Sequence, residues 1–101
     1  MGGEEFAVIM PDTTVAVARQ VIDDLRQNFG DITHHSADGV AQFKVSFSAG
    51  VSEILESDDI TTFIARSDDL LYRAKQSGRN RVVAGDSASF EAITQIQDET
   101  M

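Results

Sequence analysis

The sequence predicts an α+β domain in which two helices pack on a mixed, largely antiparallel sheet of short strands. Three observations support this fold class. Residues 6–10 form a continuous apolar run typical of a buried strand, and residues 40–53 alternate between apolar and polar side chains. Two longer segments repeat apolar residues at helical spacing. A chain of 101 residues can enclose one small core.

Bulk composition predicts a cytoplasmic protein that binds neither nucleic acid nor membranes. The formal net charge is −9, whereas a nucleic-acid-binding surface needs a basic patch. The sequence has no 18-residue apolar run and no apolar leader. It has no cysteine, which excludes disulfides and thiolate chemistry. Five of the eight basic residues nevertheless lie between positions 66 and 81, so a local anion site is compatible with the acidic chain.

The first helix is predicted over residues 13–29. Asp12 or Thr13 is a suitable N-cap, and Gly30 is expected to end the helix. Its apolar face consists of Val15, Ala18, Ile22, Leu25 and Phe29.

Residues 31–39 are predicted to form a short edge strand followed by a turn at Asp38-Gly39, a favoured hairpin pair. The adjacent His34 and His35 suggest a metal site, but neighbouring residues on a strand point to opposite faces and cannot chelate one ion. An exposed polar strand is therefore the better interpretation.

The strand within residues 40–53 has one apolar face and one polar face, and the polar face is either solvated or turned toward a site. A second helix is expected after the caps at 56–59, ending at Gly78, and residues 82–84 form a brief strand. The chain divides at about residue 85, and residues 86–101 are expected to be a tail or a short docked helix.

The beginning of the chain has the residues of a tight turn that leads into a strand. Gly2 and Gly3 can adopt positive φ and allow a ligand to approach the backbone closely. Glu4 and Glu5 follow at the junction of turn and strand, where they can offer oxygen ligands to a hard cation such as Mg²⁺.

Three separate stretches resemble one protein family. Residues 2–6 read GGEEF, residues 45–51 read VSFSAGV, and residues 67–82 read SDDLLYRAKQSGRNRV. Together they are similar to the GGDEF domains, and the resemblance covers residues 2–84. Members of this family are diguanylate cyclases, which condense two GTP into cyclic di-GMP with Mg²⁺ or Mn²⁺. The resemblance implies a nucleotidyl-cyclase-like sheet and an active dimer in which each domain holds one GTP.

The resemblance also implies roles for individual residues. Glu4 corresponds to a metal ligand and possible general base, with Glu5 as a further candidate ligand. Gly2 and Gly3 would form the turn against the nucleotide. Lys75 and Arg79 resemble the phosphate-binding pair of the family, and their spacing of four allows both to reach one side. The alternative for this pair is simple complementation of a helix dipole, worth a few tenths of a kcal/mol.

Departures from the family pattern lead to two further expectations. Ser67 and Leu70 stand where the family usually has alanine, and both replacements are packing changes that the fold can tolerate. The family's preceding strands, one of which carries a metal-binding Asp, have no counterpart upstream of Gly2. The 101-residue chain is therefore expected to be a partial domain, inactive alone, that self-associates through unpaired strand edges. The alternative is a degenerate, non-catalytic GGDEF module that binds nucleotide or a protein partner.

Overall fold

The structure is a computed structural model that describes residues 5–85 and 91–100. It has the predicted α+β architecture, with two helices on a mixed sheet. The helices are α1 (Val15–Gly30) and α2 (Ile60–Gln76). The strands are β1 (Glu5–Pro11), β2 (His34–His35), β3 (Gln42–Phe43), β4 (Val45–Glu53), β5 (Val82–Ala84) and β6 (Glu91–Thr100).

The main sheet has the strand order β1-β6-β4-β5, and β2 and β3 form a separate hairpin. Only β4 and β5 pair in parallel within the described strands, and the other pairs are antiparallel. The sheet is therefore mixed and largely antiparallel, as predicted. Neither described helix is long and apolar enough to span a bilayer.

The N-cap of helix α1 lies one residue after Thr13 and two residues after Asp12, the two predicted caps. Thr14 is the N-cap, and its hydroxyl accepts a hydrogen bond from the Val17 N–H at 3.2 Å. The prediction of Asp12 or Thr13 was wrong, because Asp12 lies in the preceding turn with φ of 53°. The helix includes Gly30 and is capped by Asp31. Its buried face packs on one side of the sheet, and the core there comprises Ala18, Ile22, Phe47, Ala49, Val51 and Ile96.

The other side of the sheet is covered by α2, which decides the environment of the polar face of β4. Ser48 and Ser52 are fully buried, so this part of the face is not solvated, whereas Ser46 is half-buried. The Ser52 and Ser67 hydroxyls share a hydrogen bond of 2.5 Å. At Gly50, a Cβ atom would lie 2.3 Å from the Leu71 backbone nitrogen. Small side chains on β4 thus let the helix backbone lie directly on the strand.

Residues 91–100 are a strand, so the prediction of a tail or short helix was wrong for this segment. Strand β6 lies between β1 and β4 and pairs with both. Ile93 and Ile96 have helical spacing, yet in a strand residues three apart point to opposite faces. Because helices cover both faces of this sheet, both isoleucines are buried at 2% exposure. Residue 90, also assigned to the helical pattern, lies outside the described residues.

The predicted ends of α2 and the predicted hairpin are confirmed. Asp59 is the N-cap of α2 in a capping box with Thr62, and Gly78 follows the C-cap with φ of 128°. The turn between β2 and β3 includes Gly39 with φ of 75°. The interpretation as an exposed polar strand is right for His35 and wrong for His34, which is half-buried and stacks on Phe43 with ring centroids 5.6 Å apart.

Candidate functional site

A row of three polar residues crosses the sheet on the side covered by α2. Glu5 of β1 is paired in register with Gln97 of β6, which is paired with Ser48 of β4. Adjacent strands lie about 4.8 Å apart, so the row spans roughly 10 Å. Ser48 faces α2 because it is two residues from Gly50, and alternate residues of a strand share a face. The row provides the floor of the candidate site.

Lys75 joins the last turn of α2 to the first residue of β1. Its Nζ donates a hydrogen bond to Glu5 Oε2 at 3.3 Å, and the two side chains are only 21% and 17% exposed. An ammonium group has three N–H donors, and Glu5 uses one of them. Two of the predicted site residues, separated by 70 positions in the chain, are therefore in direct contact.

The segment after α2 turns sharply before β5 begins. Gly78, Arg79 and Asn80 have φ values of 128°, 61° and 47°, three successive residues in the left-handed region. For a residue other than glycine this region costs roughly 1–2 kcal/mol. The Arg79 N–H donates to the Ala74 carbonyl at 2.9 Å, which fastens the turn to the helix end. The Arg79 side chain is exposed, as a residue that meets a soluble ligand must be.

Asn80 connects this turn to the rest of the fold. Its N–H donates to Ser48 Oγ at 2.9 Å. Its carbonyl and its side-chain Oδ1 both accept hydrogen bonds from Arg26 Nη1, at 3.2 and 3.0 Å. Arg26 lies on α1, 54 positions earlier. The Arg79-Asn80 turn is thereby held at the same polar row that contains Glu5.

A carboxylate on α1 orients Arg26. Asp23 Oδ1 accepts from Arg26 Nε at 2.8 Å, and Asp23 Oδ2 accepts from Gln27 Nε2 at 3.0 Å. The hydrogen bond from Arg26 is the main cause that lowers the pKa of the Asp23 carboxyl below its ordinary value. The Asp23 carboxylate thereby holds Arg26 Nε, which leaves Arg26 Nη1 directed at Asn80.

The sequence interpretation missed several residues around the site. Among them are Asp23 and Arg26, whose i,i+3 spacing is typical of an ion pair on a helix surface. No pattern in the neighbouring sequence indicates that this pair contacts residue 80. Ser48 was visible only as part of the polar face of β4. Gln97 lay in the segment predicted to be a tail or helix.

The described residues do not by themselves form a magnesium site. Mg²⁺ takes near-octahedral oxygen ligation, and no group of three or more His, Cys, Asp or Glu in the described ranges could hold an ion. Glu5 Oε2 accepts a hydrogen bond from Lys75, and the Gln97 amide oxygen, buried without a hydrogen-bond partner in this part of the chain, adds one neutral oxygen ligand. Glu4, Gly2 and Gly3 lie outside the described residues. Metal ligation by Glu4 and Glu5 stays a prediction.

A second ionic cluster at the carboxyl end of β4 is structural. Arg66 donates to both carboxylate oxygens of Asp58, at 2.5 and 2.9 Å, and to the Glu53 carbonyl at 2.8 Å. The Arg66 hydrogen bond is the main cause that lowers the pKa of Asp58 to about 2. The buried Glu53 carboxylate accepts a hydrogen bond from the Val15 N–H at the start of α1. This cluster fastens both helices to the end of one strand.

Comparison with known proteins gives a consistent set of relatives. The profile of the family described as "Diguanylate cyclase, GGDEF domain" matches residues 1–81. The chain is 41% identical over 85 residues to Diguanylate cyclase VdcA of Vibrio cholerae, which covers 81% of this chain and 24% of that protein. It is 41% identical over 83 residues to Response regulator PleD of Caulobacter vibrioides, with 81% of this chain and 18% of that protein covered.

A third relative extends the pattern to another bacterium. Diguanylate cyclase DgcM of Escherichia coli is 37% identical over 83 residues, covering 82% of this chain and 19% of that protein. The chain thus spans about a fifth of the length of these curated relatives. No solved structure gives a significant match. Since the family profile covers most of the chain, including Glu5, Lys75 and Arg79, the chain belongs to the GGDEF family of diguanylate cyclase domains.

Proposed function

We propose that this chain supplies the phosphate-binding side of a site that condenses two GTP into cyclic di-GMP. The observation that carries this proposal is the contact between Lys75 and Glu5, made beside the turn that presents Arg79. The Lys75 ammonium is thereby fixed at one end of the polar row, and the turn that follows the helix presents Arg79 at an exposed position. Two relatives, at 41% and 37% identity, are named as diguanylate cyclases, which supports the same activity.

The chemistry explains why cations are needed at this place. A ribose 3′-hydroxyl oxygen attacks an α-phosphorus, and the bond from that phosphorus to the pyrophosphate oxygen breaks. Negative charge accumulates on the phosphoryl oxygens and the leaving group, and fixed positive groups stabilise it. Lys75 has N–H donors beyond the one given to Glu5, and a guanidinium such as Arg79 can hold phosphate oxygens with two parallel hydrogen bonds.

The remaining predicted residues complete the proposal. Gly2 and Gly3 would form the turn against the nucleotide, and Glu4 would act as metal ligand and general base with Mg²⁺ or Mn²⁺ in the full domain. Since each domain of this family is expected to hold one GTP, bond formation would take two copies of the domain. In this arrangement Glu5 orients the Lys75 ammonium as well as serving as a candidate ligand.

Calorimetric titration with GTP, with and without Mg²⁺, tests the proposal on the chain itself. We expect binding that depends on the divalent ion and weakens about tenfold or more in Lys75→Ala, since a charge-assisted hydrogen bond contributes about 1.5–3 kcal/mol. Arg73→Ala is the matched control, because Arg73 lies on the same helix in an exposed pair with Asp69. A folded wild-type chain that binds no GTP, or equal losses in both variants, would refute the proposal.

A further inference from the structure

We infer that Arg26, held by Asp23, is a positioning residue that fixes the conformation of Arg79 and Asn80 and so aims the Arg79 side chain at the phosphates. This inference rests on the proposed phosphate-binding role of Arg79. It assigns a role in the site to α1, a helix that also packs its apolar face on the core.

The turn needs an external restraint. Arg79 and Asn80 both adopt positive φ, which side-chain-bearing residues rarely do in succession. Strained backbone persists only where surrounding contacts determine it. If either residue relaxed to negative φ, the direction of the chain would change and the Arg79 side chain would project in a different direction.

Arg26 supplies that restraint through hydrogen bonds to Asn80. One nitrogen, Nη1, donates to both the carbonyl and the side-chain oxygen of Asn80, at 3.2 and 3.0 Å. The Asn80 N–H is held separately by Ser48 Oγ on β4. Asn80 is therefore fixed from a helix on one side of the sheet and from a strand within it, and the adjacent Arg79 cannot rotate unless these hydrogen bonds break.

Asp23 makes the contact specific for arginine. It binds Arg26 Nε, so the guanidinium must use a second nitrogen to reach Asn80. A lysine has a single side-chain nitrogen, so it cannot donate to Asp23 and to Asn80 from two separate nitrogens as arginine does. The Asp23–Arg26 ion pair by itself contributes little to stability, because the two side chains are partly exposed neighbours on one helix. Its effect lies in directing the remaining nitrogen.

A double-mutant cycle in GTP affinity tests this inference, using wild type, Arg26→Ala, Arg79→Ala and the double variant. We expect Arg26→Ala to weaken Mg²⁺-GTP binding roughly fivefold and to add little in the Arg79→Ala background, since coupled residues are non-additive. Arg26→Lys should resemble Arg26→Ala, whereas a simple charge effect would survive in the lysine variant. Arg19→Ala, on an exposed position of the same helix, is the control.

A second measurement does not depend on nucleotide. In NMR spectra, HN–Hα couplings and backbone carbon shifts of Arg79 and Asn80 should report positive φ in wild type and a shift toward negative φ in Arg26→Ala and Arg26→Lys. Unchanged couplings in these variants, or additive losses of affinity, would overturn the inference. If wild type binds no GTP while the couplings change as expected, the proposed function fails and the restraint by Arg26 stands. If Arg26→Ala does not fold, Arg26→Lys decides both measurements.

Discussion

The Nζ atom of Lys75 lies 3.3 Å from Oε2 of Glu5, which joins the last turn of α2 to the first described residue of β1. Both side chains are largely shielded from water. The pair closes a long loop of chain at the place where the family's substrate phosphates are expected. One contact therefore connects the stability of the sheet with the orientation of a proposed phosphate-binding group.

The Lys75–Glu5 pair should contribute more to stability than an exposed pair on the same helix. We expect a coupling free energy of about 0.5–1 kcal/mol from Lys75→Gln, Glu5→Gln and the double variant, measured by urea unfolding. The control is Arg73 with Asp69, whose side chains are 67% and 59% exposed and whose coupling should not exceed about 0.5 kcal/mol. Equal coupling in the two cycles would contradict the expectation.

Replacement of Gly50 by alanine should be severely destabilising. The added Cβ would lie 2.3 Å from Leu71 N and 2.4 Å from Ser67 O, both backbone atoms that move only with α2. We expect a loss of about 3 kcal/mol or more, or failure to fold. Gly30→Ala is the control, because its Cβ would meet no atom within 4 Å, and it should be neutral or stabilising by up to about 1 kcal/mol. Thermal unfolding of both variants distinguishes these outcomes.

The Asp58–Arg66 contact should make the free energy of unfolding depend on pH in the acid range. The pKa of Asp58 is lowered from 3.8 to about 2, so the folded state favours the ionised carboxylate. The contribution of this ion pair to the free energy of unfolding is therefore complete above about pH 4 and is lost as the pH falls toward about 2. Urea unfolding across this range should show a smaller acid-induced loss in Asp58→Asn than in wild type.

An NMR titration gives an independent check of Asp58. The carboxyl carbon should titrate near pH 2 in the wild type, and the midpoint should move upward in Arg66→Gln because the principal hydrogen bond is removed. A wild-type midpoint near 4 would show that the ion pair does not form in solution.

The buried Glu53 carboxylate should be necessary for docking of α1. It accepts a hydrogen bond from the Val15 N–H in the first turn of the helix, where negative charge is also favoured by the helix dipole. We expect Glu53→Ala to cost about 2–3 kcal/mol in urea unfolding, because it leaves a shielded donor unpaired. Glu56→Ala, at an exposed position after β4, should change stability by less than about 0.5 kcal/mol.

The sequence alone determined the features that depend on neighbouring residues. Helical periodicity identified α1 and α2, alternation identified β4, and the need for positive φ identified Gly39 and Gly78. The stretches at 2–6, 45–51 and 67–82 identified the family, and they carried Lys75 and Arg79 with them. These signals are local because capping, turn chemistry and periodicity act within a few residues.

The tertiary structure alone decided which distant segments meet. Helical spacing of Ile93 and Ile96 suggested a helix, yet a position between two strands gave 91–100 hydrogen-bond partners on both sides and buried both isoleucines. Likewise, no local pattern pairs Lys75 with Glu5 or Arg26 with Asn80, since these contacts span 70 and 54 positions. Such contacts depend on how the helices lie on the sheet, and the small residues of β4 set how closely α2 can approach.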